Sequence, residues 1–300
     1  MLARTLAPLL VLAACAPAAP RPVAHAALEA EVRDIIRRAA GDTAEVSVAF
    51  RDLATGDSLL IDARKTMHAA STMKVPVMLE LFRRADAGEL RMDEPVPVVN
   101  EFRSIADSST YTLSAADDGD TTLYRRVGQR VPVRELVERM ITRSSNLATN
   151  LLIDRADPRR IATTLAGLGA SEVRVLRGVE DGPAFRAGMN NATTAYGLMR
   201  VMEAIAGGRA ASRASTDEML AILGRQEFRE MIPAGLPAGV RSANKTGNIT
   251  RIAHDAAIVF PDGRAPYVLV VLTRGFVRDS VAAATGRDIS AAVYRHVVRR

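Results

Sequence analysis

Ser71-Thr72-Met73-Lys74, continued by Val75-Pro76-Val77-Met78-Leu79-Glu80-Leu81-Phe82, is the stretch on which the reading of this 300-residue chain turns. Val75, Met78, Leu79 and Phe82 recur at helical spacing, which predicts a buried, well-anchored helix with a hydroxyl and an amine at its N-terminal end. Three apart on a helix, Ser71 and Lys74 share a face and the amine reaches the hydroxyl. That is the arrangement of an activated nucleophile. Burial lowers a lysine pKa by penalising the charged form, and helix N-terminal amides favour an oxyanion. Pro76 lacks the N–H that would bond the Thr72 carbonyl, so the first turn is expected to be imperfect.

The amine is unusual in this chain. Of 40 basic residues only three are lysines, Lys65, Lys74 and Lys245; the other 37 (40 minus 3) are arginines. A guanidinium stays charged, whereas a lysine amine gives up its proton when desolvated or set beside another cation. A lysine kept in an arginine-rich chain is therefore a candidate proton carrier. Lys245 opens Lys245-Thr246-Gly247 on a predicted strand, and Ser144-Ser145-Asn146 ends a helical stretch that begins near Val133.

Around these segments the pattern is that of an α/β (α+β) protein. Ala27 to Ala40 places Leu28, Val32, Ile35 and Ile36 on one helical face. Glu45 to Phe50 alternates, Ala54-Thr55-Gly56-Asp57 turns, and Ser58 to Ile61 returns as the second arm of a hairpin. Near the other end, Asp255 to Phe260 and Tyr267 to Thr273 are apolar runs joined by Pro261-Asp262-Gly263-Arg264, Arg241 to Thr246 supplies one more strand, and Ser280 to Val298 is helical. One antiparallel sheet built from both termini and flanked by helices, plus an all-helical subdomain, satisfies this order. The α/β part takes about residues 27–66 and 238–300 and the helical part about 67–237, with the site at their junction.

A hydrophobic content of 48% supports a large core. The net charge of +6 comes from scattered arginines in a chain with only 4% aromatic residues, which offers no stacking platform for nucleic acid. Arg4 and the apolar run Leu6 to Leu12 have the layout of a signal peptide, residues 1–14, too short to span a membrane. Leu12-Ala13-Ala14-Cys15 resembles the bacterial lipobox, which implies lipidation at Cys15; being the only cysteine, it forms no intramolecular disulfide. Residues 15–26, rich in proline and alanine, read as a tether to the domain at 27–300. The expectation is an exported, periplasmic monomer held at a bacterial membrane by a lipid alone. His25, His68, His254 and His296 are dispersed, without metal-ligand spacing, and no cofactor is expected; His254 is read as a hydrogen-bonded residue at a strand start. Gly239 to Thr246 imitates a P-loop but has Asn244 for the second glycine and no following helix.

S-x-x-K, S-x-N and K-T-G in this order resemble the signature of class A β-lactamases and penicillin-binding proteins, and the resemblance extends over nearly all of the domain. It implies Ser71 as nucleophile, Lys74 as its base or proton relay, Ser144 as donor to the leaving nitrogen, and Asn146 as the substrate-amide ligand. Lys245 and Thr246 would bind a substrate carboxylate, with Gly247 completing that motif and the amides of Ser71 and Asn248 forming the oxyanion hole. The implied substrate is a small molecule, a β-lactam or a peptidoglycan peptide. Two features depart from the family. Ser145 replaces the usual aspartate, and the stretch Arg177-Gly178-Val179-Glu180-Asp181 carries its glutamate one residue late, without the following Leu-Asn. Glu180 is the candidate deacylation base and Asp181 the next. The alternative is a penicillin-binding or D,D-peptidase-like protein that acylates and deacylates slowly. The segment from Asn100 to Arg126, with Asp117-Asp118-Gly119-Asp120, lengthens the gap between the first two motifs and is read as a solvated acidic loop. Arg251 and Arg274 are further candidates for a carboxylate.

Overall fold

The computed structural model describes residues 23–299. In chain order these form α1 (Val23–Ala40), β1 (Glu45–Asp52), β2 (Ser58–Ile61), β3 (Met67–His68), a 3-10 turn (Ala70–Met73) and α2 (Lys74–Asp86). Then come β4 (Pro95–Pro97), β5 (Phe102–Arg103), β6 (Thr110–Tyr111), β7 (Arg130–Pro132), α3 (Val133–Thr142), α4 (Asn146–Ala156) and α5 (Pro158–Gly167). After them follow α6 (Gly182–Arg186), β8 (Ala192–Thr193), α7 (Ala195–Ala206) and α8 (Arg213–Gly224). The last elements are β9 (Arg241–Ile249), β10 (Ile252–Phe260), β11 (Tyr267–Arg274) and α9 (Asp279–Val298).

The two ends of the chain meet in one antiparallel sheet of order β2-β1-β11-β10-β9, with Val48 opposite both Ile61 and Val271. β11 explains why its strands read as unbroken apolar runs. Val268, Val270 and Leu272 face a core shared with α2, α4 and α7, while Tyr267, Leu269 and Val271 face a second core built with α1 and α9. A strand covered on both faces needs apolar residues at every position. Each such buried side chain contributes about 1.5–3 kcal/mol.

The half between the sheet strands is mainly helical but also carries three two-stranded ladders, β3–β8, β4–β7 and β5–β6. They span two or three residues each, too few for alternation to show in the sequence. The first of them, pairing Met67 with Thr193 and His68 with Ala192, directly precedes the Ser71 turn. α1 begins at Val23 rather than Ala27, taking in the end of the expected tether, because no breaker follows Pro22. The candidate signal, Cys15 and the tether up to residue 22 lie outside the described residues. No helix among the described residues is long and apolar enough to cross a membrane.

Candidate active site

The chain is pinned immediately before Ser71. His254, on β10, accepts from the Thr273 amide at Nδ1 (3.1 Å), which leaves Nε2 to donate to the His68 carbonyl at 3.0 Å. Burial pushes its pKa down to about 4, so the ring is a neutral strut, as expected for a hydrogen-bonded strand residue. Ala70 then takes a φ of 46°, a left-handed conformation that costs a residue with a Cβ about 1–2 kcal/mol. It is held there by the contact of its amide with His68 Nδ1 (3.0 Å) and by Thr72 Oγ1 donating to the Ala69 carbonyl (2.6 Å). Strain of this kind persists only where the surroundings over-determine it.

Ser71 lies on the 3-10 turn and α2 proper begins at Lys74. The expected helical face is thus a 3-10 face, in keeping with the amide that Pro76 lacks; residues i and i+3 eclipse in a 3-10 turn, which puts Ser71 and Lys74 on one face, while the hydrogen bonds of the Lys74 amine run to Ser144 and Asn146.

Lys74 is 0% exposed, and its amine reaches across to the loop between α3 and α4. It donates to the Ser144 carbonyl (2.6 Å) and Asn146 Oδ1 (2.9 Å), with Ser144 Oγ at 3.2 Å. Lys245, on β9, approaches the same Ser144 Oγ from the other side at 3.1 Å and donates to the Thr246 carbonyl at 2.8 Å. Ser144 holds this position through a left-handed φ of 57°. One hydroxyl therefore lies between two buried amines. Burial lowers the Lys74 pKa to about 7, against the opposing pull of Asp118 and Glu180. Lys245 is held well below its ordinary value by burial and then by Lys74. The two amines and the hydroxyl between them form a continuous row, Lys74–Ser144–Lys245.

Gly247 brings β9 against Ser71. A Cβ at this position would stand 3.0 Å from the backbone nitrogens of both Ser71 and Thr72. Only a bare backbone leaves the space in front of those amides open. Asn248 follows, exposed, at the end of the buried part of the strand.

The segment carrying Glu180 is strapped down on both sides. Asn150 clasps Val179, accepting from its amide (2.7 Å) and donating to its carbonyl (3.1 Å). Buried Arg177 donates to the carbonyls of Met189 and Gly178 and to Asn190 Oδ1. Glu180 itself has a φ of 61°, and its carboxylate accepts from Asn146 Nδ2 at 2.9 Å. Desolvation, followed by the nearby Asp117 and Asp118, raises its pKa above the ordinary glutamate value. Asp181 points elsewhere: it caps α6 through the Ala184 amide (3.1 Å) and accepts from Ser104 Oγ (2.7 Å) and the Ile105 amide (3.0 Å). Of the two carboxylates, only Glu180 joins the cluster with Asn146 and Lys74.

The acidic loop corrects its sequence reading. Asp118 and Asp120 are 7% and 2% exposed rather than solvated. Asp120 is ion-paired with Arg139 at 2.7 Å, and a Cβ on Gly119 would fall 2.1 Å from the Arg143 carbonyl oxygen. The loop thus closes against the Ser144 turn, which no periodicity announced; the one available signal was a glycine set between two acids. The carboxylate candidates Arg251 and Arg274 are drawn elsewhere, to the Gly275 carbonyl and to Glu45. Among the described residues no group of three or more His, Cys, Asp or Glu side chains could hold a metal ion.

This chain belongs to the β-lactamase enzyme family, whose model matches residues 27–297, and its fold is that of the class A members. A β-lactamase of Streptomyces fradiae is 26% identical over 283 residues, covering 90% of this chain and 86% of that protein. Among solved structures, a β-lactamase from Sphaerobacter thermophilus superposes with a TM-score of 0.77 at 25% identity, covering 90% of this chain and 98% of that one. PBP-A superposes equally well, with a TM-score of 0.77 at 24% identity over 91% of this chain and 97% of that one.

Proposed function

We propose that this protein is a serine hydrolase that opens β-lactam rings through an acyl-Ser71 intermediate. The observation that carries the reading is Ser144 Oγ held between the buried amines of Lys74 and Lys245, at 3.2 and 3.1 Å. The neutral Lys74 amine takes the proton of Ser71 as Oγ attacks the lactam carbonyl. The amides of Ser71 and Asn248 receive the oxyanion, with Gly247 leaving the approach clear. As the C–N bond breaks, the ring nitrogen takes a proton from Ser144, which is resupplied through the two lysines. Asn146 holds the substrate amide, and Lys245 with Thr246 holds its carboxylate. Glu180 then activates the water that frees Ser71.

A second reading is favoured by one contact: Glu180 occupies Asn146 Nδ2, the donor assigned to the substrate amide. If substrate displaces that carboxylate from the water path, the acyl-enzyme persists, as in a penicillin-binding or D,D-peptidase-like protein. A point variant of PBP-A is known as an acyl-enzyme with penicillin G.

Residues 1–14 are proposed as a signal peptide, Cys15 as the lipidated terminus, and the domain from residue 27 as the periplasmic catalytic unit. Turnover of a chromogenic cephalosporin, followed alongside intact-protein mass spectrometry, tests the activity. Stoichiometric acylation without turnover selects the second reading, and no adduct on Ser71 refutes both.

A further inference from the structure

We infer that Asp118 is a positioning residue of this site, a carboxylate delivered by the Asn100–Arg126 segment to hold the Ser144–Asn146 turn against Lys74. The turn lacks an acid of its own, since its middle residue is Ser145, whose hydroxyl only caps the Ala148 amide at 3.2 Å. Asp118 fills that place from 28 residues away in sequence. Its Oδ1 accepts from the amides of Asn146 (2.9 Å) and Asp120 (2.9 Å), and its Oδ2 from the amide of Leu147 (2.8 Å) and the hydroxyl of Tyr124 (2.9 Å). Two of these four donors are the first amides of α4, so the buried carboxylate makes a charge-assisted clamp there, where the helix dipole also favours an anion, while the other two fix it to its own loop. The clamped residues are the ones that matter. Asn146 presents Oδ1 to Lys74, and Ser144, two residues earlier, presents both its carbonyl and its hydroxyl.

The clamp also has an electrostatic consequence. The charged groups facing Lys74 are Asp118 and Glu180, which favour its protonated form, and Lys245, with which it competes; Asp117 in turn faces Glu180, and Asp255 faces Lys245. Removing the Asp118 charge leaves a buried amine with one anion fewer, so Lys74 releases its proton at lower pH.

Asp118→Asn keeps the side-chain volume and removes the charge. Because the chain has three lysines, protein labelled with ¹³C at lysine Cε gives three NMR signals, of which Lys65 is the surface one, paired with Glu45. The Lys74 signal is expected to titrate at lower pH in Asp118→Asn than in the unmodified chain, by roughly half a unit or more. An unmoved or raised midpoint overturns the inference. The second arm rests on the acylation reading above: the second-order constant for adduct formation at Ser71 is expected to fall about tenfold or more, with cooperative unfolding retained. Acylation at the unmodified rate overturns the positioning role.

If the unmodified chain forms no adduct, the acylation reading fails by itself, while the lysine titration, which needs no substrate, still decides the place of Asp118. Should Asp118→Asn not fold, Tyr124→Phe removes a single bond to the same carboxylate. It is then expected to slow acylation about two- to tenfold, and an unchanged rate overturns the inference.

Discussion

Lys74→Arg keeps a positive charge at the centre of the site and removes the ability to give it up. With a pKa of about 7, Lys74 is neutral in about half of the molecules at pH 7 and in about one in a hundred at pH 5. A guanidinium at either pH is neutral in fewer than about one in 10⁵. Loss of a positioned base ordinarily costs about 10²–10⁴ in rate, or about 2.7–5.5 kcal/mol on the barrier. The larger head must also fit where the amine now has partners at 2.6, 2.9 and 3.2 Å, so the upper part of that range is expected. The assay is single-turnover ring opening of a chromogenic cephalosporin between pH 5 and 9, with the Ser71 adduct counted by mass spectrometry.

The sign follows from the direction of the shift. A lowered lysine pKa means that the base form accumulates as pH rises, so acylation by the unmodified chain should climb about tenfold per pH unit below 7 and level off above it. The reasoning is refuted if folded Lys74→Arg acylates within about tenfold of the unmodified chain, or if the unmodified profile is flat through pH 7.

Three further outcomes are expected. Glu180→Gln should leave the burst of ring opening in place and slow the steady state by about 10² or more, so that the Ser71 adduct accumulates; an unchanged steady state would remove Glu180 from deacylation. Gly247→Ala puts a methyl 3.0 Å from the Ser71 and Thr72 nitrogens and should lower the acylation constant by at least about tenfold, with the melting temperature the control for folding. If alanine there acylates normally, the oxyanion does not use that space. Cys15→Ser should move the exported protein from the membrane to the soluble fraction of cells, and unchanged membrane association would count against lipidation.

The sheet was legible because its physics is local. Alternation in Glu45–Phe50, the Gly56 turn and the unbroken runs of β10 and β11 each specify a strand without reference to the others. The Ser71, Ser144 and Lys245 motifs were legible because their chemistry depends on residue type. What stayed hidden was whatever depends on the path of a loop. Asp118 has the composition of a solvated acid and becomes a buried clamp only because Gly119 can lie on the Arg143 carbonyl. Asp181 and Glu180 are adjacent and chemically alike, and a φ of 61° at Glu180 sends them to different partners. The short ladder before Ser71 depends on a pairing between His68 and Ala192 that two residues cannot announce.

The strand order has a consequence for how such a chain comes into being. β1, made early, has β11 as its neighbour, with Glu45 opposite Arg274. The Ser71 turn likewise waits for Gly247. During synthesis the first two hundred residues therefore emerge without the partners that would complete their sheet, and contacts of such long sequence separation form slowly. The cluster around Ser71 and Ser144 stays incomplete until β9, with Lys245 and Gly247, has been made.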